Sequence, residues 1–251
     1  MRPLTQDLSI FKKFNFEKPP VGVKFLYRKP KGIKPLDKRM AICEMIKEAQ
    51  QSDAAFYFTK ENEDCFGTMI CGMMDTPSFA AGGQMGVELE IFQDARANSN
   101  LYQHIIKLPK GTVNYVAFSP LDKLAFDPDL LILLATTKQG EIVLRAMSYS
   151  TGELWASKGT GVLGCAWIFT YPYQSGKVNY TVTGLGFGMK SKEVFPEGML
   201  LISIPYHWIP PITQNLKEMK WVLPSFTDGR EKYKKREEAI LTKLAKENQN
   251  P

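Results

Sequence analysis

The run Leu130–Ala135 constrains the fold of this chain more than any other segment. Its six residues, LLILLA, are apolar at every position, so both faces of a strand formed here must be covered. A strand of this kind lies inside a sheet and needs a layer of structure on each side. We therefore predict an α+β fold in which a mixed or mostly antiparallel sheet, with this strand at its centre, is flanked by helices.

The remaining elements follow from hydrophobic periodicity and from turn residues. Strands are predicted at 21–27, 55–58, 87–91, 113–118 and 199–204. Helices are predicted at 5–14, 40–51, 94–107, 138–150 and from Ile212 onward, together with a short buried helix that Asp64 would cap. Alternation at residues 178–183 predicts a hairpin that turns at 174–176. Because the chain has no tandem repeat or long linker, residues 1–227 are predicted to form a single domain, followed by a charged helix at 228–251.

Composition limits the class of protein. Hydrophobic residues make up 44% of the 251-residue chain, which is enough for a continuous core without disulfides. No apolar run reaches the length of a membrane span and the first residues lack a signal-peptide pattern, so we expect a cytoplasmic protein with no membrane partner. The formal net charge is +6. Because no nucleic-acid motif or aromatic ladder accompanies the basic residues, a solvated basic face is favoured over a nucleic-acid site.

Cys65 and Cys165 are the first candidate functional residues. Glycine lies close to each of them in the sequence, and glycine leaves the backbone free to expose a side chain. A thiolate in such a place can act as a nucleophile or bind a soft metal. Three interpretations stay open, namely inert buried cysteines, a metal or iron–sulfur site, and a redox-active or nucleophilic thiol.

The other cysteines and the histidines add little to a metal site. On a helix, Cys65 and Cys71 would point roughly 120° apart, and their spacing matches neither a CxxC pair nor a ferredoxin run. Cys43 falls on or beside the apolar face of the helix that begins near Met40, which favours core packing. The chain has 2 histidines, which excludes a His-rich zinc site.

Gly159, Gly161 and Gly164 satisfy the GxGxxG pattern. A dinucleotide site also needs a preceding buried strand and an acidic residue about twenty positions later, and the sequence has neither. Residues 154–192 contain no acidic residue, yet lysine occurs at positions 158, 177, 190 and 192. Glycine turns expose backbone N–H groups, so this stretch can hold a small anionic ligand. The other interpretation is a buried hairpin whose lysines point to water.

Five short motifs follow one another along the chain. They are Ile42-Cys43-Glu44, the Cys65-x-Gly67 step, Pro128-Asp129, the turn from Gly161 to Cys165, and the segment from Gly184 to Gly188. In this order they make the chain resemble the uncharacterised family called domain of unknown function 169, also known as the archaeal conserved region family. The similarity spans about Pro19 to Leu216 and leaves the C-terminal helix outside. Family members come from anaerobic archaea and bacteria, so the resemblance implies anaerobic metabolism and no particular activity.

The resulting hypothesis is that the protein binds a small ligand, a metal or a redox cofactor in anaerobic metabolism. It covers both an enzyme and a binding protein without catalytic activity. Its site is expected to consist of glycine turns and cysteines, namely Cys65, Gly67, Gly159, Gly161, Gly164, Cys165, Gly184 and Gly186, with Cys65 and Cys165 as candidate metal ligands. The alternative is a non-catalytic accessory or interaction subunit, because the sequence has no complete catalytic motif and ends in a charged helix. The sequence is also compatible with a homo-oligomer.

Overall fold

The computed structural model describes residues 2–247. The chain divides into two compact units, Met1–Lys217 and Glu218–Pro251. The strands are β1 (Val21–Leu26), β2 (Lys34–Pro35), β3 (Phe56–Phe58), β4 (Tyr115–Pro120), β5 (Leu130–Ala135), β6 (Asn179–Val182) and β7 (Leu200–Pro205). The helices are α1 (Ile42–Gln51), α2 (Gly67–Ile70), α3 (Ser78–Ala81), α4 (Gln84–Glu88), α5 (Ala95–Gln103), α6 (Thr137–Ser148), α7 (Gly164–Ile168), α8 (Thr170–Ser175), α9 (Phe187–Ser191), α10 (Ile209–Glu218), α11 (Pro224–Thr227) and α12 (Gly229–Glu247).

All seven strands belong to one sheet, in the order β2-β3-β4-β1-β5-β7-β6. The β2–β3 pair is parallel, and every other neighbouring pair is antiparallel. The predicted α+β fold with a mixed, mostly antiparallel sheet is therefore confirmed. The predicted domain boundary at residue 227 differs from the boundary of the compact units, which follows Lys217.

Strand β5 is buried at all six positions, as its uniform apolar sequence predicts. It pairs with β7 from Leu130↔Pro205 to Ala135↔Leu200 and with β1 on its other side. One face of the strand joins the core cluster that includes α1 and α7. The other face is covered by α6, whose Gly140 lies against Leu200 and Ile202 of the neighbouring strand. Interior placement is thus correct, although β1 holds the middle position of the sheet.

Helix α1 is amphipathic and packs on the sheet. Ile42, Met45, Ile46 and Ala49 are buried, and their spacing of three and four residues places them on one face. The residue before the helix, Ala41, has no side-chain acceptor of its own. Its N–H instead donates to the Glu44 carboxylate at 2.8 Å, which satisfies one free donor at the helix start. The packing and this hydrogen bond together fix the start of α1, in which Cys43 is the second residue.

Two predicted strand features are wrong. Residues 87–91 alternate as a strand would, yet residues up to Glu88 lie in helix α4. The predicted hairpin turn at residues 174–176 is instead the end of helix α8, where Gly176 adopts φ +67°. A glycine in the left-handed conformation ends a helix as readily as it forms a hairpin turn, so the sequence pattern did not distinguish the two. Strand β6 follows that helix and pairs with β7.

Two predicted helix starts are also wrong. Asp64 does not cap α2, because the helix begins after Phe66 without a side-chain cap, and the neighbouring Glu63 supplies the acceptor instead. Helix α10 begins at Ile209, three residues before the predicted start, since Pro210 and Pro211 fit the first turn of a helix. Across residues 2–247, no helix combines the length and the apolar character that crossing a bilayer requires.

Candidate functional site

A cavity of about 140 Å³ lies in the first unit, among α1, α2, α4, α5, α7 and α9. We call it the cysteine cavity because three of the four cysteines line it. Most of its remaining lining is apolar or glycine. The lining residues are Cys43, Cys65, Phe66, Met85, Gly86, Leu89, Ile91, Asn98, Tyr102, Val162, Leu163, Gly164, Cys165, Gly186, Phe187, Gly188, Met189, Ser191 and Lys192.

The buried Glu63 carboxylate fixes the elements that carry two of these cysteines. One of its oxygens accepts from the Gly67 N–H at 2.9 Å and from the Ile42 N–H at 3.4 Å. The other accepts from the Thr68 N–H at 3.3 Å. One carboxylate therefore serves the first turns of both α1 and α2. Burial raises the pKa of Glu63 and outweighs these donors.

Gly67 makes this arrangement sterically possible. A Cβ at this position would meet the Glu63 Oε1 atom at 2.7 Å and the Ile42 Cβ atom at 2.8 Å. Glycine therefore lets α2 approach the start of α1 closely. The role of Gly67 is to position the neighbouring thiols, since it does not itself line the cavity.

The two glycine-rich segments meet beside the cavity. The Phe187 N–H donates to the Gly161 carbonyl at 2.8 Å, which joins the turn before α7 to the start of α9. A Cβ on Gly164 would lie 2.6 Å from the end of the Met189 side chain, so glycine at 164 permits close packing of the two helices. This contact brings Cys165, at the start of α7, into the same wall as α9.

Cys65 and Lys192 lie next to each other in the cavity lining. The Lys192 Nζ atom lies 3.9 Å from the Cys65 sulfur, and Cys65 is exposed. Desolvation raises the pKa of Cys65, and the nearby ammonium group opposes that rise. Lys192 forms no ion pair with a carboxylate within residues 2–247. Its charge is therefore available to an anionic group in the cavity.

The other two cavity thiols are strongly held in their protonated form. Burial raises the pKa of Cys43 to about 12. Burial also raises the pKa of Cys165 well above its usual value, and the neighbouring Cys43 and Cys65 add to that effect. Cys71 is fully buried and lies outside the cavity lining. The cavity thus presents S–H groups at neutral pH, rather than thiolates.

Asn98 contributes a buried hydrogen-bond acceptor without a donor. The residue is 2% exposed, and its Nδ2 atom donates to the Gly83 carbonyl at 3.0 Å. That bond fixes the orientation of the amide, and the Oδ1 atom then has no partner among the described residues. A Cβ on Gly86 would overlap the Asn98 Nδ2 atom, so glycine at position 86 gives the amide its space.

The structure brings some of the predicted site residues together and separates others. Cys65, Gly164, Cys165 and Gly186 line the cysteine cavity. Gly159 and Gly161 line an adjacent depression, which also reaches Gly164 and Gly186. Gly184 lies against Glu197 and outside both linings. Within the described part of the chain, no group of three His, Cys, Asp or Glu side chains is arranged to hold a metal ion.

Sequence reasoning did not identify Asn98 or Tyr102 as site residues, and it assigned Cys43 to the core. Asn98 and Tyr102 are four residues apart on α5, so they face the same side of the helix. That spacing was the available signal, but asparagine on a polar helix usually faces water. Only the burial of Asn98 distinguishes it.

Comparison with known proteins gives one match. The sequence model of domain of unknown function 169, described as an uncharacterised ArCR family, matches residues 9–215. No curated protein and no solved structure matches the chain.

Proposed function

Since the chain belongs to the family called domain of unknown function 169, whose description specifies no activity, we propose a function from the cysteine cavity itself. The protein binds a small organic molecule that has an apolar body and an N–H or O–H group. The thiols and glycine turns form the walls of this binding site, and the biological setting in anaerobic metabolism stays a prediction.

The unpartnered Asn98 Oδ1 atom is the observation that carries this proposal. A buried acceptor without a donor costs about 1–3 kcal/mol. An N–H or O–H group of a ligand in the cavity would complete the hydrogen bonding of this amide. The Asn98 Nδ2 atom is already engaged by Gly83, so the site selects a ligand that donates.

The size and lining of the cavity restrict the body of the ligand. Its volume of about 140 Å³ is close to that of an apolar cavity of ~150 Å³ that holds one benzene molecule. Side chains such as Met85, Leu89 and Ile91 make much of the wall apolar. A single aromatic ring or a short branched aliphatic group is therefore the expected body. The Lys192 ammonium group, which forms no ion pair with a carboxylate within residues 2–247, would favour a ligand that also carries an anionic group.

A thiol-ligated metal is less well supported than an organic ligand. Zinc and iron–sulfur centres take three or four deprotonated ligands at fixed distances. The described chain has no such group of side chains, and burial raises the pKa of Cys43, Cys65 and Cys165. The cavity thiols are better suited to contact an apolar ligand than to bind a cation.

Calorimetric titration with phenol and toluene tests the proposal, because the two probes have nearly the same shape and differ in one O–H donor. Wild-type protein should bind phenol about tenfold more tightly than toluene, which corresponds to one hydrogen bond of about 1.4 kcal/mol. Asn98→Leu should remove this preference. Asn100→Leu is the matched control, since Asn100 is exposed on the same helix, and it should keep the preference.

Circular dichroism of each variant checks that the fold is intact. If wild-type protein binds neither probe, or if Asn98→Leu retains the wild-type preference for phenol, the proposed function is wrong.

The accessory-subunit alternative is supported by helix α12. None of its residues is buried, and Ile240, Leu241 and Leu244 are exposed apolar residues on it. Such a stripe is typical of a helix that packs on another chain. Light scattering on the full chain tests this alternative, with Leu241→Glu as the variant. A monomer of unchanged mass in both samples, and no partner retained on purification from the native source, would contradict it.

A further inference from the structure

A second concave site lies in the first unit and shares no lining residue with the cysteine cavity. This groove has a volume of about 920 Å³. The segment after β1 and residues near the N-terminus form parts of its wall, and Lys123 and neighbouring residues form another part. We call it the basic groove because of the side chains that line it.

Cations dominate the basic groove. Its lining carries six basic residues, Arg2, Arg28, Lys29, Lys31, Lys34 and Lys123, and one acidic residue, Asp53. None of the six forms an ion pair within residues 2–247. Other lysines of the first unit form ion pairs with carboxylates. Lys38, for example, lies 2.8 Å from Glu48. A concave surface lined by one sign of charge concentrates its potential, so the groove attracts anions.

Two contacts hold the backbone beside the groove. Pro3 forms an isolated β-bridge with Phe126, which anchors the N-terminal segment beside Arg2. The Asn114 amide donates to the Tyr27 carbonyl at 3.0 Å, immediately before the loop that carries Arg28. The backbone beside the groove is therefore fixed at the N-terminal segment and at the start of the loop that follows β1.

We propose that the basic groove binds a small molecule that carries a linear polyphosphate. Six cations exceed what a single phosphate group can engage, and arginine and lysine together suit phosphate oxygens. The groove has one aromatic lining residue, Phe126, and it is 2% exposed. Base stacking on exposed aromatic side chains is the usual platform for single-stranded nucleic acid, and this groove provides none. The chemistry therefore favours a small polyphosphate over a nucleic-acid strand.

Calorimetry with sodium tripolyphosphate, pyrophosphate and phosphate at low salt tests this proposal. Wild-type protein should bind tripolyphosphate at least tenfold more tightly than phosphate, and the affinity should fall as salt is raised. The double variant Arg28→Glu with Lys31→Glu should bind tripolyphosphate about tenfold or more weakly. The matched control reverses two exposed lysines of α12, Lys232→Glu with Lys235→Glu, and should stay within about twofold of wild type.

Equal losses in the two double variants would mean that tripolyphosphate responds only to net charge, and the proposal would then be wrong. Tighter binding of a short oligothymidine than of tripolyphosphate, at equal phosphate concentration, would assign the groove to a nucleic acid and also overturn it. Asn98→Leu should leave tripolyphosphate binding unchanged. The result for the basic groove is therefore independent of the result for the cysteine cavity.

Discussion

Replacing Lys192 by methionine should slow the alkylation of Cys65. The Lys192 Nζ atom lies 3.9 Å from the Cys65 sulfur, and its charge stabilises the thiolate, which is the reactive form. Burial raises the pKa of Cys65, so the thiolate is a minor species at neutral pH. Under that condition the alkylation rate falls when the thiolate fraction falls.

The size of the effect follows from the distance between the two groups. Two unit charges about 3.9 Å apart interact by about 1 kcal/mol when water screens them fully. Cys65 is exposed although desolvation still raises the pKa of its thiol, so we use this screened value as a conservative magnitude. Loss of about 1 kcal/mol corresponds to a pKa rise of about 0.7 units and a thiolate fraction about fivefold lower. Because a thiolate of higher pKa is more nucleophilic, the rate should fall about two- to fivefold. Added salt should reduce the difference between the two proteins.

Peptide mass spectrometry after timed reaction with iodoacetamide measures this rate at each cysteine. The reagent is neutral, so the lysine does not attract it. Lys190→Met is the matched control, because Lys190 pairs with Glu197 at 3.1 Å, and it should leave the rate at Cys65 unchanged. An unchanged rate in Lys192→Met, or the same decrease in both variants, would refute the electrostatic reasoning. In every sample the buried Cys71 should react last.

Three further predictions concern stability, measured by urea unfolding. Glu63→Ala should lower the free energy of unfolding by about 2–6 kcal/mol because the N–H groups of α2 lose their acceptor. Glu63→Gln should lower the free energy of unfolding by less. Equal losses in the two variants would contradict this reasoning. Because the pKa of Glu63 is raised above 4.5 in the folded state, its contribution to stability should grow as pH falls toward 4.5. A stability difference between wild type and Glu63→Gln that does not change with pH would contradict that sign. Gly83→Ala should cost about 2 kcal/mol more than Gly111→Ala. Both glycines have positive φ, but only the Cβ at position 83 would overlap the Ala95 carbonyl, so equal costs would show that the overlap relaxes.

The parts of the fold that the sequence predicted are those where burial alone decides the structure. Strand β5 begins and ends at the predicted residues, because a segment that is apolar on both faces has few other places to lie. The strand predicted at residues 87–91, where helix α4 ends, was wrong for the opposite reason. Val87, Leu89 and Ile91 alternate over too short a stretch to distinguish a strand from a helix. The contact of Gly86 with Asn98 of α5 belongs to tertiary packing, which periodicity does not report.

The candidate site was predicted in part for the same reason. Cys65 and Cys165 stood out as residues close to glycine, and they line the same cavity. Gly184 satisfied the same criterion and lies elsewhere, because a glycine pattern marks backbone freedom and not position in space. Asn98 carries the proposed function, yet its importance depends on an unpaired oxygen that is visible only once its surroundings are known.

The order of the strands has a consequence for synthesis of this protein. Strand β1 occupies the middle of the sheet, but its partner β4 comes 89 residues later at the nearest pair, Leu26↔Tyr115. At roughly 5–20 residues per second, a ribosome takes roughly 5–20 seconds to supply that partner. During this interval an apolar segment with both edges open is available for wrong pairing. The nascent chain is therefore exposed to wrong association early in translation, before the last residues of either binding site have been made.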